Sequence, residues 1–391
     1  MSDTITPTES TPVVTDGSIP TEELVALASA IGAELVRDAR DPDSPELADA
    51  VAALRAAGLL SMAVPTELGG SGATPRQVAA VQRELARHSG SVGLATAMHQ
   101  HVVLFTAWRY RRGLPGAEAT LGRVADKGLV LLSTGGADYT APHGRAIAVD
   151  GGFRVSGRKR FVSLAPQGDV LSTMFAFEDP EAGPRVLNLA VPVSSPGVTV
   201  ADNWDALGMR GTASSDVVID DVFIPSERVL ANRPWGVVDP PLQVIASIAM
   251  PVISAAYMGV VDAAFDAAVE ASANRRADPS VQRQIGVMAH RRTVAGWGLD
   301  RVRAEVGDDP VPSEDLYTAV MIAKREVALA GMEVCDQAME LAGGAAFLTG
   351  SPIERAYRDI RAAKFHPHTP EETLRLAGRR AVGLGIDEER G

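Results

Sequence analysis

Cysteine is almost absent from this chain of 391 residues, which contains only Cys335. One cysteine excludes a disulfide framework within the chain and is typical of a protein from a reducing compartment. Cys335 follows Val334 and precedes Ala338 and Leu341 at helical spacing, which indicates a small buried residue and not a nucleophile. Aromatic residues are also few, at 5% of the chain.

An excess of basic residues is also lacking. Lysine and arginine number 37 against 49 aspartates and glutamates, a formal net charge of -12. This balance argues against nucleic acid and against an anionic membrane as the main partner. Residues 1–20 lack the basic and apolar regions of a signal peptide and are rich in Ser, Thr, Pro and Asp. We therefore predict a disordered tail and a cytoplasmic protein.

Residues 242–261 form a long, strongly apolar segment without a charged residue. It is about long enough to cross a bilayer. Pro251 interrupts it, Gln243 is polar, and the acids Asp239 and Asp262 flank it where basic anchors would be expected. The segment is therefore predicted to be the central helix of a large bundle, and no membrane partner is expected.

Changes in hydrophobic period divide the chain into three parts. Residues 21–128 show helical spacing, residues 129–232 show a period of two, and residues 241–385 return to helical spacing. Asp150-Gly151-Gly152 between two alternating segments indicates a β-hairpin. The sequence predicts an α+β protein with an N-terminal helical domain, a middle antiparallel β domain and a C-terminal helix bundle.

The nucleotide-binding signature Gly-x-Gly-x-x-Gly after a strand is also missing, which argues against a Rossmann site. Other short motifs occur instead, in a fixed order along the chain. They are Val64-Pro65-Thr66-Glu67-Leu68-Gly69-Gly70-Ser71-Gly72, Leu207-Gly208-Met209-Arg210-Gly211-Thr212, Asp220-Asp221-Val222-Phe223-Ile224-Pro225, Leu341-Ala342-Gly343-Gly344-Ala345-Ala346-Phe347 and Tyr357-Arg358-Asp359.

In this order the motifs resemble those of the acyl-CoA dehydrogenase superfamily, whose members are flavoproteins with helical, β and helical domains. The resemblance covers almost the whole chain and implies FAD as cofactor, with FMN as the alternative. Thr134 matches a threonine that meets the flavin ring. Phe161 and Ser163 match an aromatic residue that covers the ring and a hydroxyl near its N5 atom.

The resemblance also implies residues for the remainder of the cofactor. Arg275 and Gln284 stand where the family binds the diphosphate and adenine, although the Phe-Gly pair usual after the arginine is absent. Gly343 and Gly344 match glycines that approach the cofactor of a partner subunit, which implies a homotetramer or homodimer. Thr369 is a further candidate for the cofactor site.

The dehydrogenase base, by contrast, is missing. Such an enzyme needs a carboxylate facing the flavin to remove the α-proton of an acyl thioester. The usual glutamate position is Pro367, and the alternative position on the central helix is Ala249, followed by Met250 where an arginine is common. Glu371, beside Glu372, is one helical turn beyond Pro367 and is the candidate for a relocated base.

A histidine stands beside the missing glutamate. His366 falls where the two-component flavin monooxygenases of this fold, which use reduced flavin from a separate reductase, carry a histidine. Such a residue can stabilise a flavin hydroperoxide or take a substrate proton. His99 and His101 are candidates for the substrate pocket. The His-x-His spacing lacks further metal ligands, so no metal is predicted.

Three functions remain open at this stage. The first is a flavin monooxygenase or oxidase acting on a small organic substrate, with His366 in the site. The second is an acyl-CoA or acyl-carrier-protein dehydrogenase that forms an α,β-double bond with Glu371 as base, its substrate an acyl thioester. The third is a non-catalytic subunit of a heteromeric dehydrogenase.

Overall fold

The protein is represented by a computed structural model that describes residues 19–38, 47–134 and 138–387. Nearly all of the predicted disordered tail therefore lies outside the described residues. Within them, helices precede a β-sheet and further helices follow it, as predicted. The fold class expected from the hydrophobic periods is thereby confirmed.

The N-terminal part consists of helices in which α3 packs against both α1 and α4, and α5 packs against α4. Thr74 starts α3 with a capping box, in which its hydroxyl accepts from Gln77 and the Gln77 side chain accepts from the Thr74 N–H. Almost every residue of α4 is buried, which explains its lack of a polar face. The helices are Thr21–Asp38 (α1), Leu47–Ala56 (α2), Pro75–His88 (α3), Gly90–Tyr110 (α4) and Ala117–Lys127 (α5).

The middle part is a twisted sheet in the order β6-β7-β3-β2-β4-β5-β8, with β1 beside β4. The predicted hairpin is present, since Val149 pairs with Gly152 between β2 and β3. Most pairings are antiparallel, but β4 pairs in parallel with both β1 and β2. The strands are Leu131–Ser133 (β1), Arg145–Val149 (β2), Gly152–Val162 (β3), Val170–Asp179 (β4), Gly183–Pro192 (β5), Val198–Val200 (β6), Ser215–Pro225 (β7) and Val229–Pro234 (β8).

The C-terminal part is built on α6, which packs against α3, α4, α7, α8 and α9. Among the described residues α6 is the one helix long and apolar enough to cross a membrane, and 94% of its most apolar window is buried inside the protein. It is a core helix, as predicted. The helices are Pro240–Ala271 (α6), Pro279–Val306 (α7), Glu314–Ala342 (α8), Pro352–Asp359 (α9) and Pro370–Ala381 (α10).

One close contact joins the sheet to the C-terminal helices. A Cβ on Gly208 would lie 2.4 Å from the carbonyl oxygen of Arg358, so only glycine allows the loop to approach α9. The Asp359 carboxylate accepts a hydrogen bond from the Met209 N–H beside it. Two of the sequence motifs therefore form one contact, which fixes the loop before β7 against the end of α9.

Candidate functional site

A cavity of about 1120 Å³ lies where these parts meet. The segment after β1, the end of β3, the loop around Gly208, α6 and the residues after α9 line it. Thr134, Phe161, Ser163, His366 and Thr369 are predicted site residues, and the structure brings all five to its wall. The cavity is therefore the candidate active site.

One wall of the cavity carries hydroxyl groups. The hydroxyls of Thr134 and Thr173 are 2.6 Å apart. Ser163 Oγ lies 2.8 Å from Ser214 Oγ, which in turn is 2.7 Å from Thr212 Oγ1. These side chains are buried, so each hydroxyl is satisfied by a neighbour and held in one direction.

Phe161 and Arg160 border this wall. Phe161 is 65% exposed and contacts Trp204 edge-on, with ring centroids 6.4 Å apart. An exposed aromatic face beside buried hydroxyls can accept a planar heteroaromatic ring. Arg160 lines the same part of the cavity. Within the described chain, neither a hydrogen bond nor an ion pair engages its guanidinium, which leaves five donors for an anionic group.

His366 lines the cavity, and a tyrosine of α6 holds its ring. A hydrogen bond of 2.8 Å joins its Nε2 atom to Tyr257 Oη on α6. Burial lowers the pKa of His366 to about 3, with smaller contributions from Lys324 and His101, so the imidazole is neutral at pH 7. Burial also raises the pKa of Tyr257 well above its ordinary value, so the hydroxyl keeps its proton. The pair is a fixed, uncharged hydrogen-bonding unit, and the other ring nitrogen, Nδ1, makes no hydrogen bond with the described residues.

His368 is held in the same manner. Its Nε2 atom lies 2.7 Å from Tyr317 Oη on α8. Lys324, also on α8, donates to the carbonyl oxygens of both His366 and His368 at 2.7 Å. Three side chains from α6 and α8 therefore support the segment from His366 to His368, which lines the cavity.

Three carboxylates line the cavity; two of them accept hydrogen bonds from the backbone, and the third, Asp205, is 92% exposed and lies 3.8 Å from Arg210. Glu371, the candidate for a relocated base, is 69% exposed, pairs with Arg375 and is not part of the cavity wall. Glu372 does line the cavity, but it accepts from the N–H and hydroxyl of Thr369 at 2.7 and 2.8 Å in a capping box. These bonds, chiefly the one from the Thr369 N–H, lower the pKa of Glu372. Asp387 accepts from the Val238 N–H at 2.9 Å.

The other positions at which the family carries its catalytic base hold residues without a basic group. Ala249 and Met250 are buried in α6, and Pro367 lies in the cavity wall. Glu371 is exposed and lies outside the cavity wall, and its role as a base stays a prediction.

The residues predicted to bind the diphosphate and adenine lie away from the cavity. Arg275 donates to the Leu341 carbonyl oxygen at 2.7 Å, so it caps the end of α8. Gln284 lies in α7 and is not part of the cavity wall. Gly343 ends α8 with a φ of 73°, a conformation that favours glycine, and Gly344 follows it at the surface. Thr369 is at the cavity, but its hydroxyl caps α10.

The two histidines of α4 also lie outside the cavity wall. His99 is fully buried; its Nε2 atom is 2.9 Å from the Leu60 carbonyl oxygen and its Nδ1 accepts from the Leu131 N–H at 3.0 Å. His101 Nδ1 lies 3.1 Å from the Ala97 carbonyl oxygen. Burial lowers the pKa of each to about 4. In this structure His99 joins α4 to the start of the sheet, and neither ring contacts the cavity.

The residues that hydrogen-bond to His366 were not predicted from the sequence. Tyr257 and Lys324 lie on helices that read as apolar core, and only the tertiary fold brings them to His366. Arg160 had one local signal, since it immediately precedes the predicted ring contact Phe161.

The chain is similar to known proteins along most of its length. Three family models match: the acyl-CoA dehydrogenase N-terminal domain over residues 22–110, the middle domain over residues 133–222 and the C-terminal domain over residues 249–381. The chain belongs to the acyl-CoA dehydrogenase family. The sequence resemblance is thus confirmed, and the three matched regions follow the helical, β and helical parts of the structure.

Within this family, the chain is similar to several enzymes that act on amines or amino sugars by name. The amino sugar nitrososynthase DnmZ of Streptomyces peucetius is 31% identical over 332 residues, which cover 81% of each chain. Isobutylamine N-hydroxylase of Streptomyces viridifaciens is 29% identical and covers 84% of this chain and 87% of its own. A solved structure of KijD3 with FMN and a dTDP-3-amino sugar is 28% identical, has a TM-score of 0.81 and covers 97% of this chain and 96% of that one.

These members of the acyl-CoA dehydrogenase family are flavin-dependent oxidoreductases, and the chain described here is one as well. The prediction of a flavoprotein enzyme is confirmed. Flavin is the cofactor.

Proposed function

We propose that this protein is a flavin-dependent monooxygenase that adds oxygen to the amine nitrogen of a small organic substrate. The observation that carries the proposal is the neutral His366–Tyr257 pair at a cavity in which Pro367 stands at the usual position of the dehydrogenase base. A dehydrogenase needs a carboxylate base facing the flavin, whereas a neutral histidine can donate or accept a hydrogen bond beside it. The names of the relatives given above, nitrososynthase and N-hydroxylase, support an amine as the substrate.

The cavity fits a flavin mononucleotide. The hydroxyls of Thr134 and Ser163 and the face of Phe161 suit the edges and plane of the flavin ring. The unengaged guanidinium of Arg160 suits one phosphate. Since Arg275 and Gln284 lie outside this cavity, FMN is the favoured form over FAD, in agreement with the FMN found in KijD3.

When bound in its reduced form, the flavin supplies two electrons, so that one atom of O₂ joins the amine nitrogen and the other leaves as water. The protein's own residues hold the reactants. His366 lines the cavity, and its Nδ1 atom, which makes no hydrogen bond with the described residues, can provide one to a reactant without carrying charge. Its pKa of about 3 makes it a poor proton store, so we assign it a hydrogen-bonding role.

We further propose a separate reductase that supplies reduced flavin, a cytoplasmic location and a homo-oligomer. The last is supported by the exposed apolar residues beside Gly344, since Phe347 is 78% exposed and Leu348 is 66% exposed. Apolar side chains grouped at the surface are typical of a protein interface. In such an assembly Gly343 and Gly344 would face the neighbouring subunit.

The experiment that tests the proposal supplies the purified protein with FMN and an unrelated flavin reductase under air. Primary amines and acyl thioesters are tested separately. The proposal expects a hydroxylamine or nitroso product from at least one amine and no enoyl product from any thioester. Anaerobic bleaching of oxidised flavin by an acyl thioester would contradict it and would favour the dehydrogenase.

A further inference from the structure

A buried lysine supports the segment that carries His366. Lys324 is 4% exposed, and its neighbours in α8 include the buried apolar residues Val320, Met321 and Val327. Its Nζ atom donates to the carbonyl oxygens of His366 and His368, each at 2.7 Å. Among the described residues it forms no ion pair with a carboxylate. Burying an ammonium group costs free energy unless hydrogen bonds replace its lost hydration. The two carbonyl oxygens supply such hydrogen bonds to Lys324.

The two carbonyl groups need a partner because of where they lie. The residues from His366 to Thr369 fall between the 3₁₀ helix Ile360–Phe365 and α10, outside regular secondary structure. Buried carbonyl groups in an irregular segment have no helical or sheet partner and must be satisfied by side chains or water. Lys324 satisfies two of them with one group, on the protein side of the cavity wall.

We propose that Lys324 is a positioning residue for His366, fixing the backbone that carries the ring while Tyr257 fixes the ring itself. The inference rests on the proposed function, in which His366 is the group that faces the reactants. The two anchors come from different helices, Tyr257 from α6 and Lys324 from α8, so the ring direction is set by the packing of the bundle. If only one of the two hydrogen-bonding contacts is present, the His366 side chain can still change its orientation about the remaining contact.

A purely structural lysine would behave differently. If Lys324 served only to stabilise α8 or α10, its removal would lower the melting temperature and leave the direction of the His366 ring unchanged. A positioning residue predicts a change at His366 that exceeds any change in folding. The ring of His366 can be observed directly, without flavin or substrate.

The test uses Lys324→Met, with Lys364→Met as matched control because Lys364 is exposed and lies two residues before His366. Side-chain ¹⁵N NMR of the unloaded protein, with His366 assigned from His366→Gln, reports its tautomer and the hydrogen bond to Tyr257. Lys324→Met is expected to broaden or shift these signals, and Lys364→Met to leave them unchanged. Lys324→Arg, which keeps the donors, is expected to restore them in part.

The second readout is the ratio of product to hydrogen peroxide in the loaded enzyme. Misplacement of a positioned group by about 1 Å can cost about a hundredfold, so we expect a fall of about tenfold or more in Lys324→Met, with unchanged FMN affinity. Lys324→Gln provides the same comparison, with a smaller loss, should the methionine variant not fold.

Unaltered His366 signals in folded Lys324→Met would overturn the inference. This outcome is distinguishable from failure of the proposed function. If His366→Ala retains full product formation, the role of His366 is wrong, but the NMR signals still decide whether Lys324 positions it.

Discussion

The hydroxyl of Tyr257 lies 2.8 Å from Nε2 of His366, although the two residues are 109 positions apart in the chain. The core helix α6, apolar along most of its length, thus provides a polar group at the one point where it meets the cavity. Because both partners are uncharged at neutral pH, the contact fixes a ring without adding a charge to the site. The proposed chemistry depends on that neutral, fixed ring.

Removing the tyrosine hydroxyl tests this contact. Tyr257→Phe keeps the packing of the ring and deletes the hydrogen bond, so His366 loses one anchor. We expect the yield of oxygenated product per flavin oxidised to fall about tenfold, the scale for one lost hydrogen bond to a positioned group. Tyr357→Phe, on the partly exposed α9, is the control and should leave the yield unchanged. Equal yields in both variants would show that the contact has no catalytic importance.

Arg160 is predicted to bind the flavin phosphate. Arg160→Ala should weaken FMN binding about tenfold or more, since a charge-assisted hydrogen bond contributes about 1.5–3 kcal/mol. Riboflavin, which lacks the phosphate, should bind the variant and the parent protein equally well. Arg275→Ala is the matched control, because Arg275 is bonded to the Leu341 carbonyl and lies away from the cavity. Fluorescence titration measures both ligands, and equal losses for FMN and riboflavin would contradict the assignment.

Three buried histidines predict a dependence of stability on pH. Burial lowers the pKa of His99 and His101 to about 4 and that of His366 to about 3, against 6.5 in the unfolded chain. Between pH 6.5 and 4 the unfolded state therefore binds more protons, and the free energy of unfolding falls as pH falls. Each histidine contributes a slope that approaches about 1.4 kcal/mol per pH unit near pH 5, where it is protonated in the unfolded chain and neutral in the folded protein. Above about pH 7.5 the unfolded chain is neutral at these positions as well, and the slope vanishes.

Denaturant unfolding at several pH values measures that slope. His366→Gln should reduce it between pH 6 and 5 by one histidine's share. A slope that is the same in this variant and in the parent protein would mean that His366 takes up its proton in the folded protein as readily as in the unfolded chain.

Gly208 provides a test of the contact between the sheet and α9. Gly208→Ala would place a Cβ atom 2.4 Å from the Arg358 carbonyl oxygen, so the loop must move. We expect a loss of about 1–3 kcal/mol in the free energy of unfolding. Gly286→Ala is the control; nothing lies within 4 Å of its added Cβ, and it should stabilise α7 by about 0.5–1 kcal/mol. Calorimetry of the two variants should show opposite shifts in melting temperature.

Features of the fold and the site that depend on neighbouring residues could be predicted from the sequence, whereas features that depend on distant residues could not. The hairpin at Asp150 and the capped helices depend on neighbouring residues and were predictable. Thr134, Ser163 and His366 occur in short segments that resemble the family, and the structure brings them to one cavity. The sheet departs from the prediction where β4 pairs in parallel, because such pairings depend on distant strands.

The remainder of the site depends on tertiary contacts that no local pattern reports. Tyr257 and Lys324 read as residues of core helices, and only packing brings them to His366. The His-x-His pattern of α4 could not show which way the rings point, and His99 turns into the core. Glu371 and Glu372 are adjacent, yet only Glu372 reaches the cavity wall, because successive helical residues point in different directions.

Labelled oxygen tests the central claim most directly. The FMN-loaded protein, a reductase and an amine accepted as substrate are mixed under ¹⁸O₂, and the product is analysed by mass spectrometry, with His366→Ala alongside. The account predicts that each new oxygen on the nitrogen carries the label, and that the variant releases hydrogen peroxide in place of product. Product oxygen derived from water, or undiminished labelled product from His366→Ala, would contradict it.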